Sequence, residues 1–266
     1  SGKTHYSVQL YGRVRRRPGQ LKLRGTPPNL EPLEEVLRCL EEGRSAPRTA
    51  TSSWAEVILP LEDARGNSLN LRWPDFGGEQ LRAVTEKRAV SEAWRARIAR
   101  AEHWLMLIRL TSEITYPDAL GGLTQHDGER AFNVARAGTW DANARLVEFL
   151  QILLHVAGHG VVRRLVRPRI AVLLSCYDEL GADRGPPRDV LADRLPLVAS
   201  FLRSNWTPDA ASVWGLSALG QRLDPKQPAA SYVDTGPEAH GWIVAPNGGE
   251  PDPDLSKPPA WLLGAA

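Results

Sequence analysis

The segment RIAVLLS at residues 169–175 places the strongest constraint on how this chain can fold. A strand whose residues are almost all apolar must be covered on both faces, which is typical of a parallel sheet between layers of helices. Segments of helical and strand periodicity alternate along the rest of the chain. The sequence therefore predicts the α/β class, with a mainly parallel sheet flanked by helices.

The first half of the chain combines predicted helices with a predicted hairpin. Apolar residues recur at helical spacing after the turn-forming TPPN, which predicts a helix over residues 30–42 that ends at Gly43. The segments AEVILPL and SLNLRW predict two strands, and residues 64–67 between them predict a hairpin turn. A long charged helix over about 80–102 should then lead directly into the strand HWLMLIRL.

The second half continues the alternation after an inserted segment. Residues 111–142 are polar and glycine-rich without periodicity, so we expect an inserted loop that includes a short helix. Further helices are predicted over about 143–166 and 188–204, followed by the strand ASVWGLS. A tail rich in proline and glycine begins at about residue 221 and should close with a short helix in PPAWLL. These elements fit one domain over residues 1–266.

The charge balance gives no indication of a nucleic-acid or membrane partner. Lys and Arg number 33 against 31 Asp and Glu, for a net charge of +2. The basic run Arg13–Arg17 is predicted to be a solvated helix end. The strongest apolar runs are too short to span a bilayer, and Cys39 and Cys176 fit small core residues of a reducing compartment. We therefore expect a cytoplasmic protein.

The opening residues SGKT match the end of a phosphate-binding loop. In the pattern G-x-x-x-x-G-K-[ST], backbone N–H groups surround the phosphates, the lysine reaches the β and γ oxygens, and the hydroxyl binds Mg²⁺. Gly2, Lys3 and Thr4 fill the last three places. We expect the first glycine and the central strand before it to lie upstream of Ser1, so the chain as printed should bind nucleotide poorly.

The segment WPDFGGEQ carries a second candidate at a strand end. Asp75 is placed to hold Mg²⁺ through water, and Gly78 to offer its N–H to a γ-phosphate. Glu79 or Gln80 then falls where a water-positioning side chain belongs. The letters DFG also spell a kinase metal motif, but no H-R-D loop or V-A-I-K strand accompanies them. A glycine-containing loop turn is the plain structural alternative.

Two more candidates follow the last two predicted strands. Asp178, in LLSCYDEL, can accept hydrogen bonds from N1–H and N2–H of guanine, although a helix cap or surface turn would also suit it. In WGLSALG, backbone N–H groups around Ser217 and Ala218 can contact the O6 atom of the base. Because parallel strands end at one edge of a sheet, ligands bind there. Leu219 replaces the second glycine of a hydrolase G-x-S-x-G elbow, which disfavours that chemistry.

These motifs, in this order, resemble the small-GTPase plan of P-loop, switch threonine, D-x-x-G, N-K-x-D and S-A-K. More narrowly, GKTHY, WPDFGGEQLR, RIAVLLSCYDEL and WGLSALG resemble the double-GTPase family of bacterial conflict systems, over essentially the whole chain. The resemblance implies a GTP hydrolase with Mg²⁺ as cofactor, and a second GTPase-like protein and conflict-system effectors as partners. It implies that Lys3 binds phosphate, Thr4 and Asp75 hold the metal, and Thr49, or else Thr51, is the switch threonine.

Two departures from the small-GTPase pattern leave alternatives open. Ser175 and Cys176 stand where Asn and Lys are usual, so Tyr177 or another residue must pack on the purine, and guanine preference rests mainly on Asp178. An ATPase on the same fold is one alternative. Glu79 stands where many GTPases have Gln, which predicts slow hydrolysis and leaves open an interaction module that binds nucleotide with little turnover.

Three further side chains are weaker candidates for site residues. His155 and His159 lie four apart on a predicted helix, but without an acidic partner they fit structural histidines better than a zinc site. Arg109, which follows HWLMLI, can reach the nucleotide as a cis arginine, although an ion pair at the rim fits it better.

Overall fold

The computed structural model describes residues 2–17, 19–46, 56–73, 78–115, 141–160, 163–181 and 183–264. The helices are α1 Lys3–Arg16, α2 Glu31–Glu41, α3 Gly78–Lys87, α4 Glu92–Arg100, α5 Ala142–Val156, α6 Pro187–Arg194, α7 Pro196–Asn205, α8 Ala230–Thr235 and α9 Lys257–Leu262. The strands are β1 Leu21–Leu23, β2 Val57–Asp63, β3 Ser68–Trp73, β4 His103–Ile108, β5 Arg169–Ser175, β6 Ala211–Ser217 and β7 Trp242–Val244. Single 3₁₀ turns lie at Leu110–Ser112, Tyr177–Leu180 and Pro237–Ala239.

The strands form two sheets. The larger has the order β4-β5-β6-β7, in which β4, β5 and β6 are parallel and β7 runs antiparallel to β6. The smaller is antiparallel, with the order β1-β2-β3. Within the described residues, β3 and β4 are therefore edge strands. The predicted α/β class with a mainly parallel sheet is confirmed, and so is the predicted hairpin.

Strand β5 explains the continuous apolar run. Ala171 and Leu173 on one face join a core cluster that includes Leu10 of α1 and residues of the β2–β3 hairpin. The alternate residues, among them Val172, join a second cluster with Leu150 of α5 and residues of α7. Residues 170–174 are all 0% exposed, so both faces are covered by helices and loops. Truncating one of these leucines to alanine would cost about 2 to 5 kcal/mol.

Helix α1 is anchored to the C-terminal segment. The Tyr6 hydroxyl donates to the Leu255 carbonyl at 2.9 Å, and both residues are 0% exposed. The Arg13 guanidinium donates to the carbonyls of Pro253, His240 and Gly241. Arg13 is 8% exposed, so the prediction of a solvated basic run was wrong for this residue, although Arg15, Arg16 and Arg17 are exposed as predicted.

Three predicted helices are shorter in the structure. The helix predicted over 80–102 divides into α3 and α4, because Arg88 takes a left-handed φ of 47° and the Ser91 side chain caps α4 by accepting from the Trp94 N–H. The helix over 188–204 divides at Pro196, whose ring begins α7. The helix over 143–166 ends at Val156, two residues before Gly158 with its φ of 77°.

The predicted helix over 30–42, the strand ASVWGLS and the closing helix in PPAWLL are confirmed by α2, β6 and α9. Strands β1 and β7 were not predicted, because each has three residues and so gives too little alternation to read. Most of the predicted insertion, residues 116–140, lies outside the described residues. None of the helices in the described ranges is long and apolar enough to cross a bilayer.

Candidate functional site

The N-terminus of α1 lies against the end of β5. Gly2 precedes the helix with a left-handed φ of 72°, and a Cβ built on it would lie 3.4 Å from the Ser175 Cβ. Lys3 and Thr4, both half-buried, form the start of the helix. The first N–H groups of any helix have no carbonyl partner within it and carry partial positive charge. The beginning of α1 therefore lies beside the carboxyl end of β5, and a helix start is a place where proteins can bind anions.

The chain leaves β5 through a constrained turn. Cys176 takes a φ of 55°, which is uncommon for a residue other than glycine, and the 3₁₀ turn Tyr177–Leu180 follows. Asp178 is half-exposed in the first part of this turn. The Tyr177 ring faces inward and is 1% exposed, with its hydroxyl donating to the Gly185 carbonyl at 2.5 Å. Tyr177 is therefore not available to cover a base.

The neighbouring strand ends at Ser217, at the same edge of the sheet. Ser175 of β5 is in register with Leu216 of β6, so the two strand ends are adjacent. Ser217 is 1% exposed, and its Oγ accepts a hydrogen bond from the Gly220 N–H at 3.0 Å, which closes a tight turn around Ala218. The structure thus brings Gly2, Ser175 and the Ser217 turn to one edge.

The end of β3 also lies near the start of α1. The rings of Trp73 and Tyr6 meet edge to face with centroids 5.6 Å apart. Three predicted site residues lie outside the described residues: Asp75, which follows β3, and Thr49 and Thr51, which precede β2. Gly78 begins α3, and Glu79 and Gln80 come next in that helix.

A family model described as Double-GTPase 1 matches residues 1–262. The chain belongs to the double-GTPase 1 family. Searches of curated proteins and of solved structures each found no significant match. The family implies that the chain binds guanine nucleotide. The shared edge of β5, β6 and α1 is where the order of the motifs predicts that nucleotide to bind.

One buried residue near the start of α1 in this double-GTPase chain was not predicted from the sequence. His5 follows Lys3 and Thr4 in the first turn of α1, and burial lowers its pKa to about 4. Its Nε2 atom is enclosed and finds no hydrogen-bond partner among the described residues. At neutral pH this imidazole is uncharged. Its burial could not be predicted from the sequence, because a single histidine after G-K-T forms no periodic pattern.

Arg109 of the double-GTPase chain forms the ion pair predicted for it. Its Nε and Nη2 atoms donate to the two carboxylate oxygens of Glu179 at 3.2 and 2.5 Å. The Thr111 hydroxyl donates to the same carboxylate. These hydrogen bonds raise the pKa of Arg109, which keeps the guanidinium charged. His155, at the last turn of α5, is exposed.

Proposed function

We propose that this chain is a GTP hydrolase that uses Mg²⁺ and acts as a nucleotide-dependent switch. The observation that carries the proposal is the meeting of the α1 N-terminus, the Ser175 end of β5 and the Ser217 end of β6 at one sheet edge. Membership in the double-GTPase 1 family supports guanine nucleotide as the ligand. The resemblance to conflict-system proteins supports a role in bacterial immunity, in the cytoplasm, beside a second GTPase-like protein and its effectors.

The phosphates of GTP would bind at the start of α1. The left-handed Gly2 and the start of a helix directly after it fit an anion, because helix N-termini favour negative charge, and Lys3 would supply the balancing charge. Thr4, Thr49 and Asp75 would hold the metal, since hydroxyl and carboxylate oxygens suit Mg²⁺. Of these, Thr4 lies within the described residues, at the second position of α1, where a hydroxyl beside the phosphates is expected. Bound Mg²⁺ would neutralise charge on the phosphate oxygens.

The hydrolytic step would depend on the segment that leads into α3. We propose that the Gly78 N–H binds the γ-phosphate and that Glu79 or Gln80 orients the attacking water. A carboxylate at 79 is repelled by the γ-phosphate unless a cation compensates, so slow intrinsic turnover is expected. Release of Gly78 and of the switch threonine after hydrolysis would change partner affinity.

Guanine recognition would come from the ends of β5 and β6. Asp178 would accept from N1–H and N2–H of the base, and backbone N–H groups of Ser217 and Ala218 would donate to O6. The tight turn at Ser217 supports this proposal, because its hydrogen bond to the Gly220 N–H fixes the backbone around Ala218.

A central strand between the two sheets is also part of the proposal. Strand β4 is the edge of the larger sheet and pairs only with β5 in the described ranges, although five of its six residues are half-buried and the sixth is buried. Strand β3 is an edge of the smaller sheet. A row of unpaired backbone groups beside apolar side chains is a place where a further strand can pair. We propose that a parallel strand preceding the phosphate loop joins β3 to β4.

The test is a titration of the full-length protein with fluorescent GDP, GTP and ATP in Mg²⁺, followed by a phosphate-release assay. We expect selective guanine binding that Lys3→Ala abolishes and that the exposed control Lys226→Ala retains. Asp178→Asn should shift preference towards xanthosine nucleotides. A folded protein that binds no nucleotide overturns the proposal, and tight binding without phosphate release favours an interaction module instead.

A further inference from the structure

At the end of β5, the chain has no lysine at the position from which small GTPases cover one face of the guanine ring. The resemblance to small GTPases places a lysine stem at position 176, but Cys176 has a short side chain, and burial raises the pKa of its thiol. The next residue, Tyr177, has its ring against Gly215, where a Cβ would lie 2.6 Å from the Tyr177 Cδ1 atom. Neither residue can present a flat or extended side chain to a base.

Arg109 lies next to this position on the neighbouring strand. Ile108 of β4 is in register with Leu174 of β5, so Arg109 leaves its strand beside Ser175 and the Cys176 turn. Its guanidinium binds Glu179, in the 3₁₀ turn that follows Cys176, at 3.2 and 2.5 Å. The hydrogen bond to Glu179 does most to raise the pKa of Arg109, and the nearby Asp178 carboxylate raises it further.

The ion pair leaves the guanidinium suited to a base. The Glu179 carboxylate accepts from Nε and Nη2 along one edge of the group, and 38% of the Arg109 side chain is exposed. The Thr111 hydroxyl also donates to Glu179, so the carboxylate that Arg109 binds is itself held by a second side chain. A planar cation held in this way stacks on aromatic rings, and arginine commonly does so against nucleobases.

We propose that Arg109 covers one face of the bound purine, in place of the lysine that position 176 lacks. This inference rests on the proposed function, since it names a further residue of the same site. Arg109 would contribute contact and charge to the base, whereas Asp178 would determine which base is accepted.

The experiment separates base contacts from phosphate contacts. Binding of fluorescent GDP to the full-length protein is measured for wild type, Arg109→Ala and Arg109→Lys, and unlabelled pyrophosphate is then used as a competitor. Loss of one stacking partner should weaken GDP binding roughly tenfold in Arg109→Ala, with the pyrophosphate inhibition constant unchanged. Arg109→Lys, which restores a stem and a charge, should recover most of the affinity. Arg109→Gln replaces the alanine variant if that variant does not fold.

Arg95→Ala is the matched control, because Arg95 forms a similar two-point ion pair with Glu92, at 2.9 and 2.7 Å, on the exposed surface of α4. It should leave both affinities unchanged. The inference is overturned if Arg109→Ala binds GDP like wild type, or if GDP and pyrophosphate weaken together. Failure of wild type itself to bind GDP would overturn the proposed function, and this outcome is distinguishable because the wild-type curve is measured first.

Discussion

Adding one methyl group at Gly215 should destabilise the protein, because the Tyr177 ring occupies the space where a Cβ would lie. A Cβ there would meet the Cδ1, Cε1 and Cγ atoms of Tyr177 at 2.6, 2.8 and 2.9 Å. The ring is fully buried, so it cannot swing into solvent. Overpacking of this kind costs about 1 to 3 kcal/mol, of which the lower chain entropy of alanine in the unfolded state offsets about 0.5 kcal/mol.

The assay is urea unfolding of Gly215→Ala beside Gly12→Ala, which makes the same chemical change in α1. No atom lies within 4 Å of a Cβ built on Gly12, and its φ is not left-handed. Alanine at this helical position should raise the free energy of unfolding by up to about 1 kcal/mol. The two variants are therefore expected to change stability in opposite directions.

A double-mutant cycle identifies the cause. In a Tyr177→Ala background the ring is gone, so adding Gly215→Ala should cost little, and the coupling energy should equal most of the single-mutant loss. An unchanged unfolding free energy for Gly215→Ala, or a cost that persists without the ring, would refute the assigned packing. Because Asp178 follows Tyr177 directly, Gly215→Ala should also weaken GDP binding.

Two further perturbations test the first turns of α1. Tyr6→Phe removes a buried donor and leaves the Leu255 carbonyl unpaired. It should lower the free energy of unfolding, measured in urea, by about 1 to 2 kcal/mol. An unchanged free energy of unfolding would contradict the hydrogen bond at 2.9 Å. His5 has its pKa lowered from 6.5 to about 4, so the folded state favours the neutral ring. The free energy of unfolding is therefore unaffected by His5 above pH 6.5. It decreases as pH falls from 6.5 towards 4, by about 2 to 3 kcal/mol after allowance for partial exposure, because the unfolded state binds the proton first. His5→Gln should flatten this pH dependence, and the exposed control His155→Gln should not.

The sequence predicted elements whose pattern is local and long enough to read. Strand β5 matches its predicted range because seven residues with both faces buried leave a continuous apolar signal. The hairpin turn was readable because Gly66 supplies a left-handed φ of 84° and Asp63 accepts from the Asn67 N–H. The helix division at Pro196 was readable in principle, but the apolar periodicity on either side of the proline concealed it.

Other features depend on partners far away along the chain. The inward position of Arg13 follows from carbonyls of residues 240, 241 and 253, which no local pattern of RVRRR can reveal. Likewise, Asp178 could be placed at a strand end from sequence, but the direction of the Tyr177 ring could not. It is decided by Gly215 on the next strand and by the Gly185 carbonyl.

The C-terminal segment connects the two halves of the candidate site. The Arg13 guanidinium, from the helix that begins beside Gly2, donates to the Gly241 carbonyl at 2.9 Å. Gly241 lies against the turn that follows β6, where a Cβ would come within 2.5 Å of the Ala218 carbonyl oxygen. Because packed interiors transmit small displacements rather than absorb them, a shift of α1 along its axis must be accommodated at this glycine or at Ala218. A segment that contributes none of the predicted site residues thus contacts both α1 and the turn at Ser217, so we expect it to affect the spacing between the proposed phosphate and base sites.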